Sequence, residues 1–435
     1  MEVLRFDLTK KTGAFKPLNA VNNGPCHKRH ASDQYRSNFD TYKAARIPFA
    51  RNHDAAFSPI YGGEHTVDIS AIFPDFDADP NAPESYDFAC TDEYVLVTLA
   101  AGTETFYRLG QKIEHTIKKY HTLPPKDFHK WAVICEHIIR HYNDGWADGY
   151  RLNIRYWEIW NEPDLDTDDS ADKRTWGGTK AQFFDFYEVA AKHLKKCFPH
   201  LMIGGPALAH REEWAADFLA EMRRREVPID FFSWHIYTKR PARIGQKAEI
   251  FRKMLDQNGY ANAQNILNEW NYVKDWTEEF VYSLETIGGI KGAAFTMAAM
   301  SVAQASSIDM LMYFDAGPNI FNGMFHPNTL KPLKGYYPFK LYGMLYDLQE
   351  VKTDDSIEDI YTLCGCDEAG KAMLILTYFT DEENMPDRTF CVDLGKTGEY
   401  ERYLLDEQHD VQLVAAGEDL TVTMQPNTVL LIKEK

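Results

Sequence analysis

At 435 residues the chain exceeds one small core and suits a barrel of roughly 250 to 350 residues plus a smaller module. A formal net charge of −18 argues against a nucleic-acid or acidic-membrane partner, since phosphate binding draws on clustered Lys and Arg. An aromatic content of 14% leaves rings for flat apolar contact with a neutral ligand, and sugars are ligands of that kind.

The opening MEVLRFDLTKKTG breaks its apolar run with charges, so it does not read as a signal peptide. No later segment approaches the roughly 20 apolar residues of a membrane span, and the expected compartment is cytoplasmic. Short apolar strands are then predicted at 18–23, 47–51, 94–100, 154–160, 201–205, 229–237, 265–270 and 308–314. Helical patterns such as KWAVICEHIIRHYN and QFFDFYEVAAKHLKKCF separate them, with apolar residues recurring at three and four. Eight strands alternating with helices predict an α/β fold, a (β/α)8 TIM barrel over 13–335.

After about residue 335 the texture changes to period-two segments such as DIYTLCGC, AMLILTYF and NTVLLIKEK, divided by Gly, Asp and Asn turns. This predicts a C-terminal all-β sandwich over 336–435, which residues 1–12 can join through the alternating EVLRFDLT. Seven cysteines, odd in number and scattered, favour reduced packing residues. Cys364 and Cys366 lack a second pair to complete a metal site. The acidic run DTDDSADKR at 166–174 reads as a solvated loop.

Barrel enzymes carry their chemistry at the C-terminal ends of the strands. In YWEIWNEPDL the apolar strand stops at Asn161-Glu162-Pro163, where Pro163 biases Glu162 away from helix. A carboxylate beside Trp157 and Trp160 is suited to a raised pKa and a general-acid role. Glu269 ends the seventh strand in NILNEWNY. The fourth and seventh strands lie on opposite sides of the ring, so both carboxylates can face one pocket, as glycosidic bond cleavage requires.

Other strand-end residues fall at the same rim. His235 and Tyr237 alternate to one side of the sixth strand, and Tyr237 can keep a nucleophile ionised by hydrogen bonding. Arg51 and His53 follow the second strand, where Asp54 offers a competing ion pair. Trp270 supplies a ring beside Glu269, while Asp315 and Glu104 occupy suitable rims after the eighth and third strands. Trp176 suits a sugar platform or loop packing equally. His137 and His141, four apart on an outer helix with no Glu between them, read as packing residues rather than zinc ligands.

The ordered set EIWNEPDL, IGGPA, DFFSWHIYT and LNEWN, with PPKDFHKWAVICEHIIRHY upstream, resembles glycoside hydrolase family 39 over about 45–345. The resemblance implies a retaining exo-glycosidase with Glu162 as acid/base and Glu269 as nucleophile, and Asn161 on the sugar 2-hydroxyl. It implies a short plant oligosaccharide as ligand, most simply a β-xyloside, with an L-arabinoside second, and no cofactor. It is compatible with a homo-oligomer. The family's xylosidases tend to carry Thr-Glu-Tyr-Asn-Thr-Ser-Tyr around the nucleophile where this chain has Asn268-Glu269-Trp270-Asn271-Tyr272-Val273, so the sugar and linkage stay open. A metal-dependent barrel hydrolase would want His-x-His at the first strand, which NAVNNGPCH does not offer. A non-catalytic sugar-binding barrel would normally lack one of the two glutamates.

Overall fold

The computed structural model describes residues 1–26, 37–53, 56–58 and 62–435, with backbone alone for 56–58 and 62–64. Eight parallel strands close into a barrel: β1 (Ala20–Asn22), β2 (Phe49–Arg51), β3 (Glu104–Leu109), β4 (Tyr156–Ile159), β5 (Met202–Leu208), β6 (Phe231–Tyr237), β7 (Gln264–Asn271) and β8 (Met310–Tyr313). They pair in chain order, and β8 pairs back to β1. Because strand side chains alternate, one inward layer is an apolar plug of Phe49, Phe106, Tyr156, Phe231, Ile266 and Met310. Arg51, Glu158, Ser233 and Asn268, also fully buried, form a polar cluster with one another.

The outer helices start where their sequence supplies a cap. Asp127 accepts from the backbone of His129 and Lys130 at the start of Phe128–Asn143, and Thr179 with Gln182 forms a capping box on Lys180–Cys197. Each buries the face toward the barrel, as its apolar spacing predicts. Helix Ile290–Ala305 is instead buried almost all round. It lies between the barrel and the C-terminal sheet, which explains why its sequence lacks an amphipathic stripe.

The third strand corrects the sequence reading. Residues 94–100 end helix Ala89–Ala100, which buries Thr91, Tyr94, Val95 and Thr98. That is three-and-four spacing, so helical periodicity prevails over the β-rich composition. The chain turns through Gly102 at φ 82°, and β3 follows. Glu104 therefore opens β3 at the far end of the barrel, half-exposed, with Arg155 at 2.9 Å. A second correction concerns the ring: β4 and β7 stand three places apart, with β5 and β6 between them.

A seven-stranded sheet holds Lys11–Ala14, Gln349–Val351, Ile360–Cys366, Ala372–Tyr378, Thr428–Glu434, Tyr400–Leu405 and Asp410–Gly417. A three-stranded sheet of Glu2–Arg5, Arg388–Asp393 and Thr421–Met424 faces it across a core of Leu4, Phe6, Leu374, Phe390, Tyr400 and Val422. The N-terminal residues thus join both sheets. Leu363, Ile375, Leu405 and Leu431 belong to the same core as the barrel and its helices. Helix Tyr337–Gly343 packs on Ile290–Ala305, and the first C-terminal strand begins at Gln349. We therefore propose that the barrel unit runs on through this helix rather than ending at 335. No helix among the described residues is long and apolar enough to cross a membrane.

Candidate active site

At the end of β4 the backbone turns sharply: Trp160 has φ 73° and Glu162 has φ 50°. Left-handed backbone at a non-glycine residue costs free energy and persists only where surroundings enforce it. Here they do. The Glu162 N–H donates to the Ala207 carbonyl at 2.8 Å, and the Thr175 hydroxyl donates to the Glu162 carbonyl at 2.6 Å. Asp164 accepts from the N–H groups of Ala209, His210 and Arg211 at 2.7 to 3.0 Å, binding this loop to the one after β5. The Asn-Glu-Pro turn is held rigidly, with the Glu162 side chain directed into a cavity.

A β-bulge in the β6–β7 pairing between Trp234 and His235 sets His235 opposite Glu269. His235 Nδ1 lies 2.8 Å from Glu162 Oε1 and 3.6 Å from Glu269 Oε2. One carboxylate oxygen each of Glu162 and Glu269, with a ring nitrogen of His235, lie within 4.8 Å of one another. Burial pushes the His235 imidazolium down to about 4, so the ring is neutral above that. Nε2 has no hydrogen-bond partner among the described residues, and two carboxylates face Nδ1. The proton therefore sits on Nδ1 and is donated toward them.

Glu269 accepts the Tyr237 hydroxyl at 2.6 Å and lies 3.4 Å from Arg51 Nη1. Burial raises its pKa and the nearby Glu162 charge adds to this, while His235, Arg51 and Tyr237 oppose the rise. Tyr237 is itself held well above the usual tyrosine range by burial and by Glu269, so it remains a donor. His53 Nε2 stands 3.9 Å from Glu269, kept neutral by burial and by Arg51 and Arg108.

Beneath these groups a buried network fixes the constellation. Arg51 donates to Glu158 at 2.7 Å, Asn161 at 2.6 Å and Asn22 at 3.1 Å. Ser233 and Asn268 donate to the other Glu158 oxygen. Arg51 and Glu158 are both wholly buried, and a buried pair is tolerated only when its remaining polar atoms are satisfied. Arg51 occupies Asn161 Oδ1, which leaves the Asn161 amide N–H groups for a ligand.

The cavity above the carboxylates measures about 1160 Å³, and its wall includes His53, Asn161, Glu162, Tyr237 and Glu269. Arg51 does not line it, because the guanidinium is consumed inside the barrel. Trp270 is also outside it: strand alternation turns Trp270 away from Glu269, against Phe295 and Tyr313. Asp315 is fully buried, accepting from Asn23 at 2.9 Å and from Gly317 and Asn319, so it shapes the loop after β8. Trp176 packs on Trp160, Phe183 and Phe186, and His137 and His141 bond to the Val133 and Trp146 carbonyls. The acidic loop is less solvated than expected, since Asp166 folds onto Arg174 at 2.7 Å and Arg174 lines the cavity. Asp54, the competing partner for Arg51 and His53, lies outside the described residues.

Three kinds of residue escaped the sequence reading. Phe314 lines the cavity with the rings of His53 and Phe321 at 5.8 and 5.6 Å. Lys247 reaches the wall from helix Pro241–Gln257, donates to the His235 carbonyl at 3.2 Å, and is drawn down to about 8 by burial. Glu158 had a visible signal, being a charge inside an apolar strand, which demands a buried partner. Besides the Glu162, His235 and Glu269 group, Glu136, His193 and Cys197 on the outer helices have ligand atoms close enough to hold a metal.

Solved glycosidases share this architecture along their whole length. A glucosidase from Croceicoccus marinus superposes with TM-score 0.77 at 22% identity, covering 100% of this chain and 98% of its own. A monomeric beta-xylosidase from Caulobacter crescentus CB15 superposes with TM-score 0.72 at 15% identity, covering 100% and 99%. The sequence profile of Glycosyl hydrolases family 39 matches residues 6–286, and the chain belongs to that family. Beta-xylosidase from Geobacillus stearothermophilus is 31% identical over 197 residues, 42% of this chain. The match spans only 37% of that relative's length.

Proposed function

We propose that the chain is a retaining, exo-acting glycosidase of pentose-containing plant oligosaccharides, most simply a β-xylosidase. The observation that carries this reading is the pair of glutamates at the ends of β4 and β7 with oxygens within 4.8 Å. Retaining enzymes space their carboxyl groups by roughly 5 to 5.5 Å, whereas inverting ones leave roughly 6.5 to 9.5 Å for a water. Glu269 attacks the anomeric carbon as Glu162 protonates the departing oxygen, forming a glycosyl ester. Glu162 then takes a proton from water, which displaces Glu269 and regenerates both groups. The neutral His235 donates to Glu162 once that group has lost its proton. Tyr237 and Arg51 hold negative charge on Glu269. Asn161 offers its amide to the sugar 2-hydroxyl, and Phe314 offers a flat face to the ring. The choice of a xyloside is supported by the family and by the relative from Geobacillus stearothermophilus.

The test is release of aryl alcohol from xylosides, arabinosides, galactosides and glucosides, with Glu269→Ala and Glu162→Ala beside wild type. One pentoside should be cleaved, with activity lost in Glu269→Ala. Glu162→Ala should regain turnover with azide on an activated leaving group and yield a glycosyl azide of retained configuration. Undiminished activity of Glu269→Ala would refute the assignment.

A further inference from the structure

Trp276 stands out among the tryptophans: Trp157, Trp234 and Trp270 are wholly buried, while Trp276 is 56% exposed. It lies in the loop after β7 and lines the cavity. Its indole stacks on Phe280 at 5.4 Å with 24° between planes, meets Tyr237 edge-on at 5.1 Å, and has Phe321 at 6.1 Å. Ile320, 64% exposed, also borders the cavity there. The ring is thus held from several sides yet remains substantially open, and with Ile320 it forms an exposed apolar patch on the cavity wall, the kind of surface that marks a binding site.

We infer that Trp276 is the platform of a leaving-group subsite selecting glycosides whose departing portion is a flat apolar ring, an aryl or similar aglycone. The inference rests on the glycosidase reading above and adds its preferred substrate class. In an exo-acting enzyme the terminal sugar sits at the carboxylates and the departing portion points to the mouth, where an exposed ring can meet it. The cavity, about 1160 Å³, exceeds the roughly 300 to 1,000 Å³ typical of sites for drug-sized ligands. A single pentose leaves most of it vacant.

The cavity wall beside Trp276 offers a second sugar little to bond. Pro318, Ile320 and Phe321 line it there, and Asn319 between them donates to Asp315 and accepts from the Phe321 N–H. Sugar hydroxyls laid on these apolar side chains would give up water without gaining hydrogen bonds, which costs free energy, whereas a hydrocarbon ring has none to give up. Arg174, His210 and Lys247, polar groups of the same cavity, come from the β4 and β5 loops and from helix Pro241–Gln257.

The experiment compares kcat/KM of wild type, Trp276→Ala and Trp276→Phe on 4-methylumbelliferyl β-xyloside and on xylobiose, each variant scored against wild type on the same substrate so that leaving-group chemistry cancels. Trp276→Ala should lose at least about tenfold more on the aryl substrate than on xylobiose, mainly through KM, and Trp276→Phe should recover most of the difference. Equal losses on both substrates, or none on the aryl one, overturn the inference. If wild type cleaves neither substrate, the glycosidase reading has failed, and 2-naphthol binding measured by calorimetry tests the platform separately. Binding weakened about tenfold by Trp276→Ala supports it, and equal binding sinks it.

Discussion

Tyr237 governs the charge on Glu269. Glu269 is pushed up by burial and by Glu162, and in the role proposed for it as nucleophile it must be ionised, so each donor to it would extend activity toward acid. Removing the Tyr237 hydroxyl, 2.6 Å away, stabilises the protonated form relative to the carboxylate, and the pKa rises further. Tyr237→Phe should therefore move the acid limb of the kcat/KM profile to higher pH and lower its plateau by about 10²-fold. A profile unchanged in position would refute this role. The opposite limb has a different owner, since His235, near 4, is already neutral across the working range. At this scale the sequence was informative for Glu162, Glu269, His235 and Tyr237, whose strand-end positions could be read from period and punctuation. It misled at Trp270 because a neighbour in a strand points to the opposite face.

At the scale of elements, β2, β4, β6 and β7 are joined through one buried ion pair. Glu158 satisfies Arg51, Ser233 and Asn268, and Arg51 in turn orients Asn161 and faces Glu269. Glu158→Leu leaves a buried guanidinium with only Glu269, at 3.4 Å, as an anion. Urea unfolding should show a loss of about 3–5 kcal/mol, and the double variant Glu158→Leu/Arg51→Leu should recover part of it. Additive losses would show that the two residues act independently. The packing between strands is equally exacting at Gly204, where an added Cβ would come within 2.2 Å of the Phe231 carbonyl oxygen. The misread third strand belongs to this scale too. A β-branched, apolar stretch fits a strand or a buried helix, and only the face that it presents to the core decides.

Over the whole molecule the β-rich unit is bound to the rim that carries the candidate site. Asp381 accepts the Tyr272 hydroxyl at 2.6 Å and pairs with Lys291 at 2.8 Å and Lys239 at 3.2 Å. Tyr272 and Lys239 follow β7 and β6, the strands that carry Glu269 and Tyr237. We propose that the sheet unit acts as a buttress for these loops as well as a cover for helix Ile290–Ala305. Residues 15–348 expressed alone, which keep helix Tyr337–Gly343, would expose the apolar surface that meets Leu363, Ile375, Leu405 and Leu431, and should be recovered aggregated. A soluble, monodisperse and active 15–348 fragment would show that the units fold independently.

The sequence by itself determined the alternation of strands and helices, the change to period-two texture, the place of the two glutamates at strand ends and the family resemblance. These depend on local periodicity and on turn residues such as Pro163, which act over a few positions. Tertiary structure alone decided that β6 lies between the two carboxylates, that Arg51 is spent inside the barrel, and that Trp276 is left open at the mouth. Those outcomes depend on which distant side chains close the ring and compete for the same buried space, and that competition has no signature in the local order of residues.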